Sequence, residues 1–333
     1  LGGFLAASTT DFIQSIIMSV ALIVVLIFGV ETAGGIGAVI HNASELPGYL
    51  SMTLSYDVNT GKAAPYNALT IVSTAAWGLG YFGMPHILLR FMAIEDEKKL
   101  KLSRRVATIW VVISLFVAVF IGVIGYTMSK VGALEMLTGS NSETIIVKIS
   151  ALLSQHGVIF ALLAGVILAG ILASTMSTSD SQLLAASSAV SSDILGAFRK
   201  DSSNKNGSMA AARITLLVIS VVAAFIARNP DSSVFAIVSF AWAGFGAAFG
   251  PVVLFSLFWK RTNKWGALAG MVCGGSMVFI WKYLIRPLGG IWNIYELLPA
   301  FLIACAAIVI VSLLTPNPSK EIEEEFDRVA QMK

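Results

Sequence analysis

Cysteine, histidine and charge are scarce in this 333-residue chain, and each shortage removes a class of function. Cys273 and Cys305 both sit inside apolar runs, where a cysteine packs as a small hydrophobe, so no disulfide framework is expected. His41, His86 and His156 are scattered without ligand-like spacing, and no metal centre built on histidine or cysteine is expected. Charged residues make up 12% of the chain, against roughly 25% in a soluble domain. Hydrophobic residues make up 56%, and the mean hydropathy is +0.82. This composition excludes an ordinary soluble enzyme. The net charge is only +3 and the basic residues form no tract interleaved with aromatics, so nucleic acid is not expected as a partner. There is no carboxylate pair with a histidine, no phosphate loop and no cysteine and histidine dyad, so an enzyme is not expected.

What the chain has is apolar segments long enough to cross a bilayer, which takes about 20 residues each. Eight qualify: 12–30, 67–89, 106–128, 156–187, 212–228, 233–258, 265–285 and 293–315. Residues 1–315 are thus expected to form one transmembrane domain, with 316–333 as an acidic, amphipathic cytoplasmic tail. Lysine and arginine are retained on the cytoplasmic side. An eight-helix threading puts sixteen of them on one side: Arg90, Lys98, Lys99, Lys101, Arg104, Arg105, Arg199, Lys200, Lys205, Arg213, Lys260, Arg261, Lys264, Lys320, Arg328 and Lys333. Six remain on the other: Lys62, Lys130, Lys148, Arg228, Lys282 and Arg286. The expected protein is multi-pass, in the plasma (inner) membrane, with a cytoplasmic C-terminus. The start, LGGFLAAS, has neither an initiator methionine nor the charged beginning of a signal peptide, and reads as cut from a longer chain.

One span is not an ordinary helix. Residues 74–92, TAAWGLGYFGMPHILLRFM, carry Gly78, Gly80, Gly83 and Pro85. Lipid offers no hydrogen-bond partner, so backbone freed by these residues must be buried in protein or line a cavity. Interrupted helices of this kind hold the ligands of secondary transporters. Trp77, Tyr81 and Pro85 stand at i, i+4 and i+8, so a helical portion would present an aromatic pair beside the break, onto which an amphipathic solute packs. Aromatics in membranes also serve as interfacial anchors, and the spacing is compatible with both roles.

A second segment, 168–184, LAGILASTMSTSDSQLL, gathers hydroxyls. Ser174, Ser177 and Thr178 share a helix face, and neutral oxygens suit a hard cation such as sodium without the cost of burying several carboxylates. Back-bonding to the helix itself, or bonding between neighbouring helices, is the competing use of such residues. Ala161, Gly165, Ala169, Ala173, Ser177, Ser181 and Ala185 form a ladder of small residues, and Gly266, Gly270 and Gly274 a shorter one that close helix packing explains. Asp11 and Asp180 are the acidic residues nearest apolar segments; an ionic role and a helix-end cap are both open for them. Residues 239–251, SFAWAGFGAAFGP, suggest a tightly packed helix that bends at Pro251, with the direction of Trp242 undecided.

WGLGYFGMPHILLRFMA (77–93), MSTSDSQLLAASSAVSSDI (176–194) and SFAWAGFGAAFGPVVLFSLFWKR (239–261), followed by Arg261, Gly266, Ala267 and Gly270, resemble the sodium:solute symporter family, and within it the members that move proline. The resemblance runs from Gly2 to about Leu314. It implies an all-α, LeuT-like inverted-repeat transporter fold, present in part: the second five-helix repeat with flanking helices, the family's earlier helices being absent. It implies sodium-coupled symport of L-proline into the cell by alternating access, performed with those missing N-terminal helices in the lipid bilayer. A sodium symporter for another small carboxylate or osmolyte, or a transporter-derived solute sensor, is the alternative. No cofactor is implied beyond sodium as the co-transported ion. The family's sodium site falls on the Ser174 carbonyl and the Ser177 and Thr178 hydroxyls, its substrate contacts on Trp77, Tyr81 and Pro85, and an ion-path aspartate on Asp11. Ser174 stands where alanine is usual, Met84 where the proline-moving members have glutamine, and Thr9 where they have an aromatic.

Overall fold

The computed structural model describes residues 3–58, 60–194, 205–228 and 233–331, and most of them are helical. In chain order the elements are α1 (Gly3–Thr32), α2 (Ile36–Ser44), a ribbon of β1 (Leu54–Asp57) and β2 (Lys62–Pro65), and α3 (Ala68–Ala75). A 3-10 segment (Ala76–Gly83) then leads into α4 (Pro85–Met92), α5 (Leu100–Lys130), α6 (Ile145–Ser154), α7 (Val158–Ser188) and α8 (Lys205–Ile226). After these come α9 (Val234–Phe258), α10 (Lys264–Ile280), α11 (Leu297–Leu314) and α12 (Lys320–Gln331). Among the described residues, six helical stretches are long and apolar enough to span a membrane: Leu5–Thr32, Glu97–Lys130, Val158–Ser191, Val234–Phe258, Lys264–Leu288 and Leu297–Leu314. Ala210–Ile226 is a shorter apolar helix, and segment 67–89 is divided into three pieces. Of the basic residues that set the expected orientation, Arg199, Lys200 and Lys333 lie outside the described residues.

The chain folds as two compact units, one within residues 1–64 and 93–233, the other within 65–92 and 234–333. In the first, α1 runs between α5, α6 and α7, and Val25, Ile121, Ile124, Met128, Ile149, Leu153 and Ile167 form its buried core. Two tight contacts show how closely the helices approach. A side-chain carbon on Gly29 would lie 2.8 Å from Ile124, and one on Gly170 would lie 2.6 Å from Ala21. Small residues are the means by which apolar helices approach when no hydrophobic force separates them from lipid. In the connecting segments, Lys130 pairs with Glu45 and Lys148 with Glu135 at 2.6 Å. Both carboxyls are held below the ordinary carboxylate range by the hydrogen bond from their lysine.

The four-residue ladder of α7 does not form the buried face. Ala161, Gly165 and Ala169 are exposed, whereas Ala164, Ile167, Gly170 and Ala173 are buried. The reason is geometric. Four residues advance an α-helix by slightly more than one turn, so a ladder continued over six steps drifts well around the cylinder. Near Ala173 it meets α1, and farther on Ser177, Ser181 and Ala185 are half-buried.

In the second unit α9, α10 and α11 pack around Ala243, Ala247, Val278, Leu297, Ala300 and Phe301. The shorter glycine ladder is the seam expected from the sequence: carbons added at Gly266 and Gly270 would strike Ser312 and Ile308 of α11, and one at Gly274 would strike the Ala247 carbonyl of α9. Asn263 caps α10 by accepting from Gly266 N–H at 2.9 Å, and its amide donates to Thr315 Oγ1 at 2.7 Å and to the Pro316 carbonyl at 2.8 Å. Arg261 donates to the Thr315 carbonyl at 2.7 Å. Lys260 then reaches α12 through Asp327 at 2.6 Å, and that hydrogen bond raises the pKa of the lysine.

The interrupted segment is seated on α9 by glycine against glycine. A carbon on Gly83 would lie 2.3 Å from the Phe245 carbonyl, and one on Gly246 would lie 2.7 Å from Gly80 Cα. Gly78, in the same segment, is exposed and has nothing within 4 Å of that position. Gly83→Val should therefore destabilise the protein by about 1–3 kcal/mol through overpacking, while Gly78→Val leaves it nearly unchanged. Thermal unfolding of the two variants in detergent checks this, and equal midpoints would refute the seating.

Candidate functional site

Each unit carries one constellation of candidate residues. The first lies on α1 and α7. Phe28 meets His156 with ring centroids 5.4 Å apart, and Gly170 faces Ile17, Met18 and Ala21, so the two helices run antiparallel. That register carries Asp11 and Gln14 to the level of Ser174–Ser177. Asp11, Gln14, Met18 and Ala21 follow one another at i, i+3, i+7 and i+10, which places them on one face of α1, the face that meets Gly170. By this register alone, Asp11 falls at the level of the stretch that carries Ser174, Ser177 and Thr178.

The hydroxyls of α7 differ in what they already bind. Thr178 Oγ1 donates to the Ser174 carbonyl at 3.3 Å, Ser179 to Thr175 at 2.8 Å and Ser181 to Ser177 at 3.1 Å, the back-bonding that competes with ligand binding. Ser177 is half-buried, and its hydroxyl makes no hydrogen bond among the described residues, while Ser174 and Thr178 are exposed. A hydrogen bond donated by Thr178 leaves the lone pairs of its oxygen facing outward, so it does not remove the residue as a ligand. Gln14 was not singled out in the sequence. Its Oε1 is shielded from solvent and has no hydrogen-bond partner among the described residues. The only signal for it is its place one turn after Asp11. One carboxylate, one amide oxygen, hydroxyls and a backbone carbonyl form an all-oxygen donor set, suited to a hard monovalent or divalent cation and not to a soft one. Among the described residues no cluster of three histidine, cysteine or carboxylate side chains exists.

The second constellation is the interrupted segment. Asn67 starts α3 by accepting from Thr70 N–H at 2.9 Å. The chain then tightens into the 3-10 form at Ala76, becomes extended at Met84 (φ −84°, ψ 111°), and restarts at Pro85, which has no N–H to lose. The Met84 carbonyl receives the first amides of α4, from Ile87 and Leu88, both at 3.1 Å. The Met84 side chain is buried. Trp77 and Pro85 are half-buried, and Tyr81 is exposed. The 3-10 winding moves Tyr81 roughly a third of a turn from Trp77, so the two rings do not share a face as they would in an α-helix. They meet instead on Trp242 of α9, which stacks on Trp77 at 5.4 Å and takes Tyr81 edge-on at 4.8 Å. Trp242 therefore faces the break, and it, Phe235 and Tyr295 complete an aromatic wall that spacing along the chain could not reveal.

A bundle of apolar helices with one glycine-broken, aromatic-lined segment and one helix pair rich in oxygen donors defines a multi-pass membrane protein of the transporter class. A family model for sodium:solute symporters matches residues 1–274, and the chain belongs to that family. The osmoregulated proline transporter of Bacillus subtilis is 38% identical over 319 residues, covering 96% of this chain and 61% of that protein. The sodium/proline symporters of Salmonella typhimurium and Escherichia coli are 38% and 37% identical over 327 residues, each covering 98% of this chain and 61% of the relative. The chain therefore spans about six-tenths of the length of the curated relatives it matches. Among solved structures, a substrate-bound, outward-open Na+-coupled sialic acid symporter superposes with a TM-score of 0.71 at 18% identity, over 96% of this chain and 64% of that one. This likeness establishes the all-α, LeuT-like fold.

The orphaned Gln14 oxygen gives a direct test of the first constellation. Replacing an unsatisfied buried acceptor by an apolar group of similar shape is neutral or stabilising. In sodium-free buffer Gln14→Met is expected to raise stability by on the order of 1 kcal/mol. A loss of similar size in thermal unfolding would mean that the amide oxygen already has a partner.

Proposed function

We propose that this chain is the C-terminal part of a sodium-coupled symporter that carries L-proline into the cell by alternating access. The observation that carries the reading is the antiparallel pairing of α1 with α7, which sets Asp11 and the unsatisfied Gln14 oxygen level with Ser174 and Ser177. In it sodium binds the Ser174 carbonyl and the Ser177 and Thr178 hydroxyls, with Asp11 on the ion's path. Proline packs on Trp77 and Tyr81 beside Pro85. Its carboxylate and ammonium meet backbone groups exposed where helices are interrupted. The N-terminal helices of the same transporter supply the remaining ligands of both sites, the protein works in the plasma (inner) membrane, and its C-terminus is cytoplasmic, a reading that the sixteen-to-six split of lysine and arginine supports. The names of the relatives support proline as the solute and sodium as the driving ion.

Coupling needs no chemistry between ion and solute. Sodium that binds one arrangement of the helices better than the other raises the affinity of that arrangement for proline, and proline raises the affinity for sodium by the same factor. The oxygens of Ser177 and Thr178 carry this coupling because they gain a cation only when the site is assembled.

The test is uptake of labelled proline into vesicles carrying the full-length transporter, under an inward sodium gradient and with potassium in place of sodium. Sodium-dependent accumulation is expected, displaced by unlabelled proline and not by other small carboxylates or osmolytes; displacement by one of those instead would change the solute, and binding without flux would indicate a sensor. Ser177→Ala and Thr178→Val should each raise the half-saturating sodium concentration by about tenfold, the equivalent of one lost ligand worth about 1.4 kcal/mol, with abundance in the membrane unchanged. An unaltered sodium dependence in both would remove these residues from the ion site.

A further inference from the structure

We propose that Trp242 and Tyr295 are positioning residues that set the conformation of the interrupted segment, and through it the solute-facing rings of Trp77 and Tyr81. The proposal rests on the reading of that segment as the solute site. The indole N–H of Trp242 donates to the backbone carbonyl of Trp77 at 2.9 Å, across 165 residues of sequence. A side-chain carbon at Gly80 would lie 1.9 Å from the same indole nitrogen, so only glycine lets the indole come this close. The ring of Trp77 then lies nearly parallel to Phe235, Trp242 and Tyr295, at 5.6, 5.4 and 6.0 Å with interplanar angles of 10°, 15° and 15°.

Tyr295 fastens the arrangement from the other side. Its hydroxyl donates to the Ser239 carbonyl of α9 at 2.6 Å, and its own backbone N–H donates to Ser73 Oγ of α3 at 3.1 Å. The residue after it, Glu296, is fully buried and accepts from Arg286 at 2.8 Å, and Arg286 also donates to Asn293 at 3.0 Å. These bonds brace the turn and hold Tyr295 where α3, α9 and the ring of Trp77 converge. Losing the Trp242 donor removes the side-chain hydrogen bond that ties the 3-10 turn to α9 and favours rewinding or displacement of that turn. While the bond holds, the break and α9 move as one piece.

The test uses the full-length transporter with Cys273 and Cys305 replaced by serine, any cysteine elsewhere removed, and a reporter at Gly78→Cys, a position that is exposed and open around its Cβ. Trp242→Phe keeps a ring and removes the N–H. It is expected to raise the rate of maleimide labelling at the reporter and the apparent KM for proline by about five- to tenfold, with the maximal rate per inserted transporter changed much less. Tyr295→Phe, which removes a single oxygen, should move both in the same direction by a smaller factor, and it decides the matter alone if Trp242→Phe fails to insert. Labelling and KM both within about twofold of the parent in whichever variants insert would overturn the proposal. If the parent carries no proline, the reading of the solute fails, while the labelling rates still decide whether Trp242 and Tyr295 set the conformation of the break.

Discussion

A backbone carbonyl or amide inside a bilayer has no solvent to bond with, and the architecture of the second unit follows from this. Once glycine and proline interrupt the span at residues 76–85, its freed groups need protein partners within reach. The glycines that weaken the helix also provide the remedy, because Gly80 and Gly83 let the backbone lie directly on Gly246 and Gly250 of α9. That approach is close enough for the Trp242 indole to reach the Trp77 carbonyl, while the Met84 carbonyl receives the first amides of α4 locally. The aromatic rings then fill the space that the missing side chains leave. An interruption that would be disruptive in an isolated helix becomes a packed, hydrogen-bonded seat.

This logic determines how much was legible beforehand. The existence of the break, the need to bury it and the close packing of 239–251 follow from composition alone, and so does the glycine seam at 266, 270 and 274, because these are local statements about what lipid permits. The form of the break does not follow. An α-helical reading puts Trp77 and Tyr81 on one face, whereas the 3-10 winding separates them and leaves Trp242 to join them. Trp242 could not be assigned a direction from sequence because its partner is 165 residues away. Tyr295 gave no signal, since its three contacts come from three different elements and none repeats at a helical spacing.

The α7 ladder shows the opposite case, a clear pattern given too wide a meaning. Small residues every four positions do mark where α7 can be approached, but a straight helix turns the ladder away from any one neighbour. The fully buried part of its contact with α1 lies around Gly170 and Ala173. The hydroxyls follow directly after that stretch. Their density was readable; their arrangement opposite Asp11 and Gln14 depends on the antiparallel register, which the Phe28–His156 and Ala21–Gly170 contacts fix.

The two constellations answer the same constraint in different ways. Around Trp77 the named polar groups of Trp242, Tyr295, Ser73, Ser239, Arg286 and Glu296 are each matched with a partner, which suits a surface that must keep its shape while a solute packs on it. On α1 and α7 the Gln14 oxygen and the Ser177 hydroxyl have no protein partner among the described residues, in a stretch where back-bonding would have been easy. An unsatisfied buried acceptor costs about 1–3 kcal/mol. In the proposed function, a desolvated cation that exchanges its water shell for those oxygens offsets that cost. Under that proposal these groups stay without internal partners for a reason, because each one satisfied within the chain would weaken the hold on the ion.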